Sequence, residues 1–501
     1  MVNLKTAPTS SSQILVLGLA SKNGKLVVES GDTNVNPSSL VSSLELMGAT
    51  GKAEEITLLP QPRSTGVELI VFTGLGDASN KHLYDHEVLR RAAGSAARFL
   101  SGKISADFSL PHNDMQSFAA ITEGVGLGSY AFHDFRGSSK KDQKEPLKSA
   151  TIISKVARAS EPATKAILKR SAVIVKYVHI VRDLVNTPAN HLSPAIFVTK
   201  IRSLSTGLGV KIEVLDEKAL KSKGYGGIYS VGQGSANPPR LLHISYTPAK
   251  VNKRFAFVGK GITFDTGGYA LKPAAGMDAM KTDMAGAASV VASLLAVAEL
   301  KLPISLHAYA CLAENMISDH ATRPGDIITT LSGKTVEVLN PDAEGRLVLA
   351  DGITRAIQDG EKGGGLHGLV DVATLTGAQI IALGVRTAGL MTNNDKFADD
   401  FLAISKEAGE QFWKMPLPEE LRPTLDTAVA DIANVGDKNG GMLVAGTFLK
   451  EFVPPEIPWL HLDIAGPSYT DKAAYGYNPV GATGITVRSL VCLAESASSQ
   501  G

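Results

Sequence analysis

Three short segments of this chain place charge inside otherwise apolar sequence. The first is Val258-Gly259-Lys260-Gly261-Ile262-Thr263-Phe264-Asp265-Thr266-Gly267-Gly268. It sets a lysine and an aspartate five residues apart among four glycines. Glycine lets a backbone approach a ligand closely, although a tight turn with a solvated lysine has the same composition. The second runs from Leu271-Lys272-Pro273 to Met280-Lys281-Thr282-Asp283-Met284. Asp283 falls early in a helix-like stretch, where a carboxylate also suits the helix dipole. The third is Leu339-Asn340-Pro341-Asp342-Ala343-Glu344-Gly345-Arg346-Leu347. Here Asp342, Glu344 and Arg346 alternate at a loop-to-helix junction with apolar neighbours on both sides. Charges bracketed by core-like sequence need partners or metals.

The three segments together offer Asp265, Asp283, Asp342, Glu344 and lysines. Carboxylate oxygens suit hard or borderline divalent cations such as Mg²⁺, Mn²⁺ or Zn²⁺. None of the segments contains histidine, which argues against a His-rich mononuclear zinc site. Three to four carboxylates carry more negative charge than one cation balances, so a pair of cations about 3.5–4 Å apart fits better. Lys260 can be a ligand only as the neutral amine, which desolvation and neighbouring cations favour. Lys272 can remain charged and meet a developing oxyanion. Arg346 carries a planar fork suited to a small anion. A phosphate-binding P-loop is disfavoured, because Lys260 is followed by Gly261 and Ile262 instead of a hydroxyl residue opening a helix.

These residues must be carried by a sheet. Arg254 to Val258 reads as a strand running into the glycine-rich segment 259–268. Asp278 to Leu300 reads as one long helix, Ile304 to Ala313 as a strand, Glu344 to Ile357 as a helix, and Leu369 to Ala373 as a strand entering Thr374-Leu375-Thr376-Gly377. That alternation implies a sheet with helices on both faces, with ligands received beyond the carboxyl ends of its strands. In the first third, strands at 14–19, 67–74 and 150–154 alternate with helical stretches at 38–47 and 85–100, which implies a smaller α/β domain. Residues 137–145 form a polar, exposed loop. A long helix over 164–183 connects the two parts. The fold class is therefore α/β in two domains: 1–163, the connecting helix 164–183, and a larger catalytic domain with a mixed sheet over 184–501.

A chain of 501 residues exceeds one core, and 44% hydrophobic with 20% charged residues is an ordinary globular balance. The net charge of +1 gives no electrostatic reason to expect nucleic acid as the main partner. Cys311 lies in an apolar run and reads as a small core residue. The N-terminus lacks a secretory pattern, and no uninterrupted apolar run approaches the roughly 20 residues of a membrane span. A cytoplasmic location without a membrane partner is the expectation.

The charged segments, with Arg182 to Pro188, Val231 to Ser235, Asp371 to Ala378 and Trp459 to Gly466, resemble the leucyl (cytosol) aminopeptidase family. The resemblance implies a metallo-exopeptidase, a hydrolase that releases leucine and other mainly apolar N-terminal residues from peptides. It implies two divalent ions, Mn²⁺ or Zn²⁺, with Lys260 and Asp283 on one, Asp342 on the other, and Asp265 with Glu344 shared. Lys272 and Arg346 are the implied catalytic pair, Arg346 holding bicarbonate. Met280, Asn340, Thr374, Leu375 and Gly377 resemble positions lining the substrate pocket, and a homohexamer is implied. Some family members bind DNA as regulators, a role that the near-neutral charge does not favour here. Two departures stand out: Ala285 where glycine is common, and Pro341 where threonine is more usual. Neither replaces a ligand. Another two-metal hydrolase, such as a phosphatase, shares the carboxylate cluster but not the resemblance.

Overall fold

In the computed structural model of the chain, residues 1–31, 37–62, 66–79 and 84–499 are described. The chain divides into two compact units. One comprises Met1–His179 with Asp471–Val480, and the other Ile180–Thr470 with Gly481–Gly501. The division falls inside one continuous helix, Pro162–Asn186, which extends the expected helix at both ends. A short segment near the C-terminus thus belongs to the first unit.

The first unit is built on a seven-stranded mixed sheet. Its buried strands Ile14–Lys22 and Leu69–Asp77 pair in parallel, and the helices His86–Phe99 and Met115–Gly128 pack on the core that contains Val16, Val71, Phe108 and Phe118. Both helices begin at aspartates, Asp85 and Asp114, whose side chains accept backbone N–H groups. Within the polar segment 137–145, residues Ser138–Asp142 make a 3-10 turn with no buried residue.

The second unit carries an eight-stranded mixed sheet. At its centre, Arg254–Asp265 pairs in parallel with Ser305–Asn315 on one side and Gly368–Ala373 on the other. Gly368–Ala373 in turn pairs in parallel with Trp459–Asp463. Antiparallel strands complete the edges. These four parallel strands are almost entirely buried, which explains their continuous Val, Leu, Ala and Phe content. The helix Ala285–Leu300 is buried along nearly its whole length, and Gly345–Lys362 packs on the same sheet.

Two sequence expectations are revised here. The glycine-rich segment is strand as far as Asp265, because Gly259 and Gly261 let a helix and a neighbouring strand close on it: a Cβ at Gly259 would meet the Ala287 backbone at 2.5 Å. The expected single helix 278–300 is a 3-10 turn, Met277–Thr282, followed by a break at Asp283 and an α-helix from Ala285. By length and composition the segment Met277–Leu300 is long and apolar enough to cross a membrane, but Asp278, Lys281, Asp283 and Glu299 interrupt it, and 89% of its most apolar window is buried in the protein, as for a core helix.

Candidate metal centre

The carboxyl ends of the central strands bring the charged residues together. Lys260 sits on the central strand and is 3% exposed. Its Nζ lies 2.8 Å from Asp283 Oδ1 and 2.8 Å from Glu344 Oε1, and donates to the Thr374 carbonyl at 2.9 Å. Its stem runs across Gly345, where a Cβ would stand 2.7 Å from Lys260 Cδ. Any side chain at that helix start would push the lysine from this path. Burial works against the Lys260 charge, but Asp283, Glu344 and Asp265 outweigh it and raise its pKa above the ordinary value.

Asp265 ends the strand at a register shift against the neighbouring strand. Its Oδ1 accepts from Gly267 N and Asn315 Nδ2, both at 2.9 Å, while its Oδ2 lies 2.9 Å from Lys272 Nζ. Lys272 Nζ is also 2.5 Å from Asp342 Oδ1. Gly267 has φ +85°, and a Cβ there would lie 2.9 Å from Asp342 Oδ1, so the turn between the two lysines requires glycine on both counts. Asp283 closes the 3-10 turn, and its Oδ1 accepts the Thr374 hydroxyl at 2.7 Å.

Three of these carboxylates, Asp265, Asp342 and Glu344, offer oxygens that lie within 4.8 Å of one another. Asp283 Oδ2 and Glu344 Oε2 are buried without any hydrogen-bond partner among the described residues. Burial, then repulsion from Glu344 and Asp265, outweighs Lys260 and lifts the Asp283 pKa well above the carboxylate range. Burial also lifts Glu344, with Asp265 adding to it. Four carboxylates against two ammonium groups leave two formal negative charges. Orphaned, crowded carboxylate oxygens in a desolvated cluster are the donor set that hard divalent cations satisfy, so the residues fit a metal site.

Arg346 follows on the same helix start. Its Nη1 donates to the Asn434 carbonyl at 2.8 Å, and its buried Nε has no hydrogen-bond partner among the described residues. Burial lowers its pKa to about 10 against the opposing fields of Glu344 and Asp463. Asn340 accepts the Asp342 N–H at 2.9 Å. Thr374, as described, joins Lys260 to Asp283. Leu375 N donates to Asp463 Oδ1 at 3.0 Å, and Gly377 opens the short helix Gly377–Leu383. Met280 lies in the turn that carries Asp283. The loops expected to line a pocket therefore emerge beside the cluster.

Several participants were not anticipated from sequence. Asn315 donates from one amide to Asp265 Oδ1 and to the Pro341 carbonyl at 3.1 Å. Asn434 accepts from Leu339 N and Asn340 N, and donates to the Asn340 carbonyl. Asp463 anchors Leu375 and Thr376. Behind them, His461 Nδ1 and Asp371 Oδ1 are 2.5 Å apart, and Trp459 Nε1 donates to Asp371 Oδ2 at 2.7 Å. The usable signal was position: Asn315 and Asp463 are polar residues closing apolar strands at the ligand-binding end.

The sequence model of the cytosol aminopeptidase family's catalytic domain matches residues 179–491, and that of its N-terminal domain matches residues 16–139. A probable cytosol aminopeptidase of Streptomyces griseus subsp. griseus is 46% identical, over 98% of this chain and 96% of the relative. Another, of Rhodococcus jostii, is 46% identical over 97% of this chain and 95% of the relative. Among solved structures, the bottromycin maturation enzyme BotP in complex with Mn superposes with a TM-score of 0.83 at 33% identity. That match covers 98% of this chain and 100% of the other. The chain belongs to the cytosol aminopeptidase family. It is a metal-dependent aminopeptidase, a hydrolase acting on peptides.

Proposed function

We propose that the enzyme releases leucine and other mainly apolar N-terminal residues from peptides at a two-cation centre held by Lys260, Asp265, Asp283, Asp342 and Glu344. The observation that carries this reading is the pair of buried, unpartnered oxygens, Asp283 Oδ2 and Glu344 Oε2, beside the three-carboxylate cluster. Lys260 and Asp283 would hold one cation and Asp342 the other, with Asp265 and Glu344 available to both. Bound there, the cations supply Lewis-acid polarisation of the scissile carbonyl and activation of water.

The chain's own groups do the rest. Lys272 is anchored by Asp265 and Asp342 and is partly accessible, so its ammonium can donate to a developing oxyanion. Arg346 has a free buried Nε–H, which suits a small planar anion such as bicarbonate. Lys260 serves as ligand only after losing a proton, which a cation among the carboxylates favours by reversing the local field. The loops bearing Met280, Asn340, Thr374, Leu375 and Gly377 receive the N-terminal side chain. Mn²⁺ and Zn²⁺ both suit this mixed amine and carboxylate set, and BotP, with Mn, supports Mn²⁺. We further propose a cytoplasmic homohexamer.

The test is removal of metal. After exhaustive chelation, hydrolysis of a leucine anilide should fall to background and return on addition of Mn²⁺. Full turnover in protein verified as metal-free would sink the assignment.

A further inference from the structure

We infer that Asn315 is a positioning residue of the metal centre, holding Asp265 and the Asp342 loop in one fixed relation. This rests on the two-cation reading above. Asn315 ends the strand beside the Lys260 strand, opposite Asp265 in the parallel register. It is 5% exposed. Its Nδ2 donates to Asp265 Oδ1 at 2.9 Å and to the Pro341 carbonyl at 3.1 Å. Both neighbours are oxygens that can only accept, so the amide orientation follows from chemistry. Its main-chain carbonyl accepts Thr266 N at 3.0 Å and Thr266 Oγ1 at 2.9 Å. One residue thus ties together the segment after Asp265 and the segment before Asp342, two ligands from loops far apart in sequence.

The two oxygens of Asp265 are left with different partners. Oδ1 already accepts two protein N–H groups, from Asn315 and Gly267. Oδ2 instead pairs with the Lys272 ammonium at 2.9 Å. Asn315 therefore presents Oδ2 to the cations and prevents rotation of the carboxylate that would exchange the two oxygens. Pro341 contributes through its carbonyl, so the missing backbone N–H at that position costs this contact nothing. A hydrogen bond from an outer residue to a ligating carboxylate commonly sets metal affinity.

The experiment compares wild type, Asn315→Ala and Asn315→Leu, the last preserving side-chain volume without a donor. Each metal-free protein is melted, then titrated with Mn²⁺ by calorimetry and by the Mn²⁺ electron paramagnetic resonance signal. The expected result is a 10–100-fold weaker Mn²⁺ affinity in folded variant protein, roughly the range for loss of such a contact. A merely structural role would lower the metal-free melting temperature and leave Mn²⁺ affinity within about twofold of wild type, and that result would overturn the inference. The leucine variant carries the test if the alanine variant does not fold. Wild-type protein that binds no Mn²⁺ would instead overturn the two-cation reading itself, and the inference with it.

Discussion

Both units bury charge, and they do so in opposite ways. In the first, Glu123 is buried between two arginines. Its Oε2 lies 3.2 Å from Arg90 Nε and its Oε1 2.5 Å from Arg170 Nη1, while Arg90 Nη1 reaches Glu87 at 2.6 Å. Every oxygen of Glu123 has a cationic donor. In the second unit, Glu344 and Asp283 each have one oxygen engaged by Lys260 and one with no partner. The same residue types therefore carry different meanings. A buried carboxylate with both oxygens filled is a structural tie, whereas one left half-filled beside others marks a place for a cation.

Mutation can break this contrast at either end. The largest effect should come from Asp283→Asn, which removes a proposed ligand. Its kcat/KM on a leucine anilide should fall by about a thousandfold or more, the several kcal/mol that metal polarisation supplies. Its metal-free melting temperature should hold or rise, because the lost charge is one that burial and its neighbours disfavour. A clear fall in metal-free stability with activity retained would erase the distinction between the two kinds of buried carboxylate. Next comes Glu123→Gln in the first unit. Glu87 still pairs with Arg90 in that variant, so the loss of the Glu123 charge should cost about 1–3 kcal/mol in denaturant unfolding, with activity per folded molecule unchanged. Loss of metal affinity in that variant would contradict the assignment.

A smaller effect sharpens the comparison within the second unit. His243 Nε2 and His307 Nδ1 are 3.1 Å apart and their rings are stacked, with Tyr309 and Asp359 beside them. Burial, reinforced by His243 and Arg254, lowers the His307 pKa to about 4 against the pull of Asp359. The unfolded chain, with an ordinary histidine pKa near 6.5, takes up the proton first as pH falls. The stability from this pair is thus present above about pH 6.5 and lost as pH drops toward 4, on the order of 1–2 kcal/mol after solvent screening. Urea unfolding of wild type and His307→Gln across that window should show a shallower acid slope in the variant. Identical slopes would remove the histidine pair as the cause.

The charged segments were legible because Asp342, Glu344 and Arg346 interrupt apolar sequence, and solvation could not account for them. The sheet was legible from its strand-helix alternation. Lys260 was not, since a lysine among glycines also describes a turn; only the resemblance named it as a ligand. The break at Asp283 was hidden because Asp278 to Thr282 and the alanine-rich run after Asp283 read as one helix, while the Asp283 carboxylate is bonded to Lys260 and Thr374. Asn434 was invisible for another reason, and Asn315 showed only its place at the end of an apolar strand. A neutral amide leaves no charge pattern, and its importance arises from strand register and loop contact, which tertiary structure creates.

The passage of Lys260 over Gly345 has a thermodynamic consequence. A free lysine side chain carries about 2 kcal/mol of rotamer entropy. Here the stem lies against a helix start where no Cβ fits, and its amine is held by three acceptors. That freedom is surrendered when the chain folds. Cation capture then meets an arm already rigid, and its affinity is not reduced by ordering the lysine at the moment of binding.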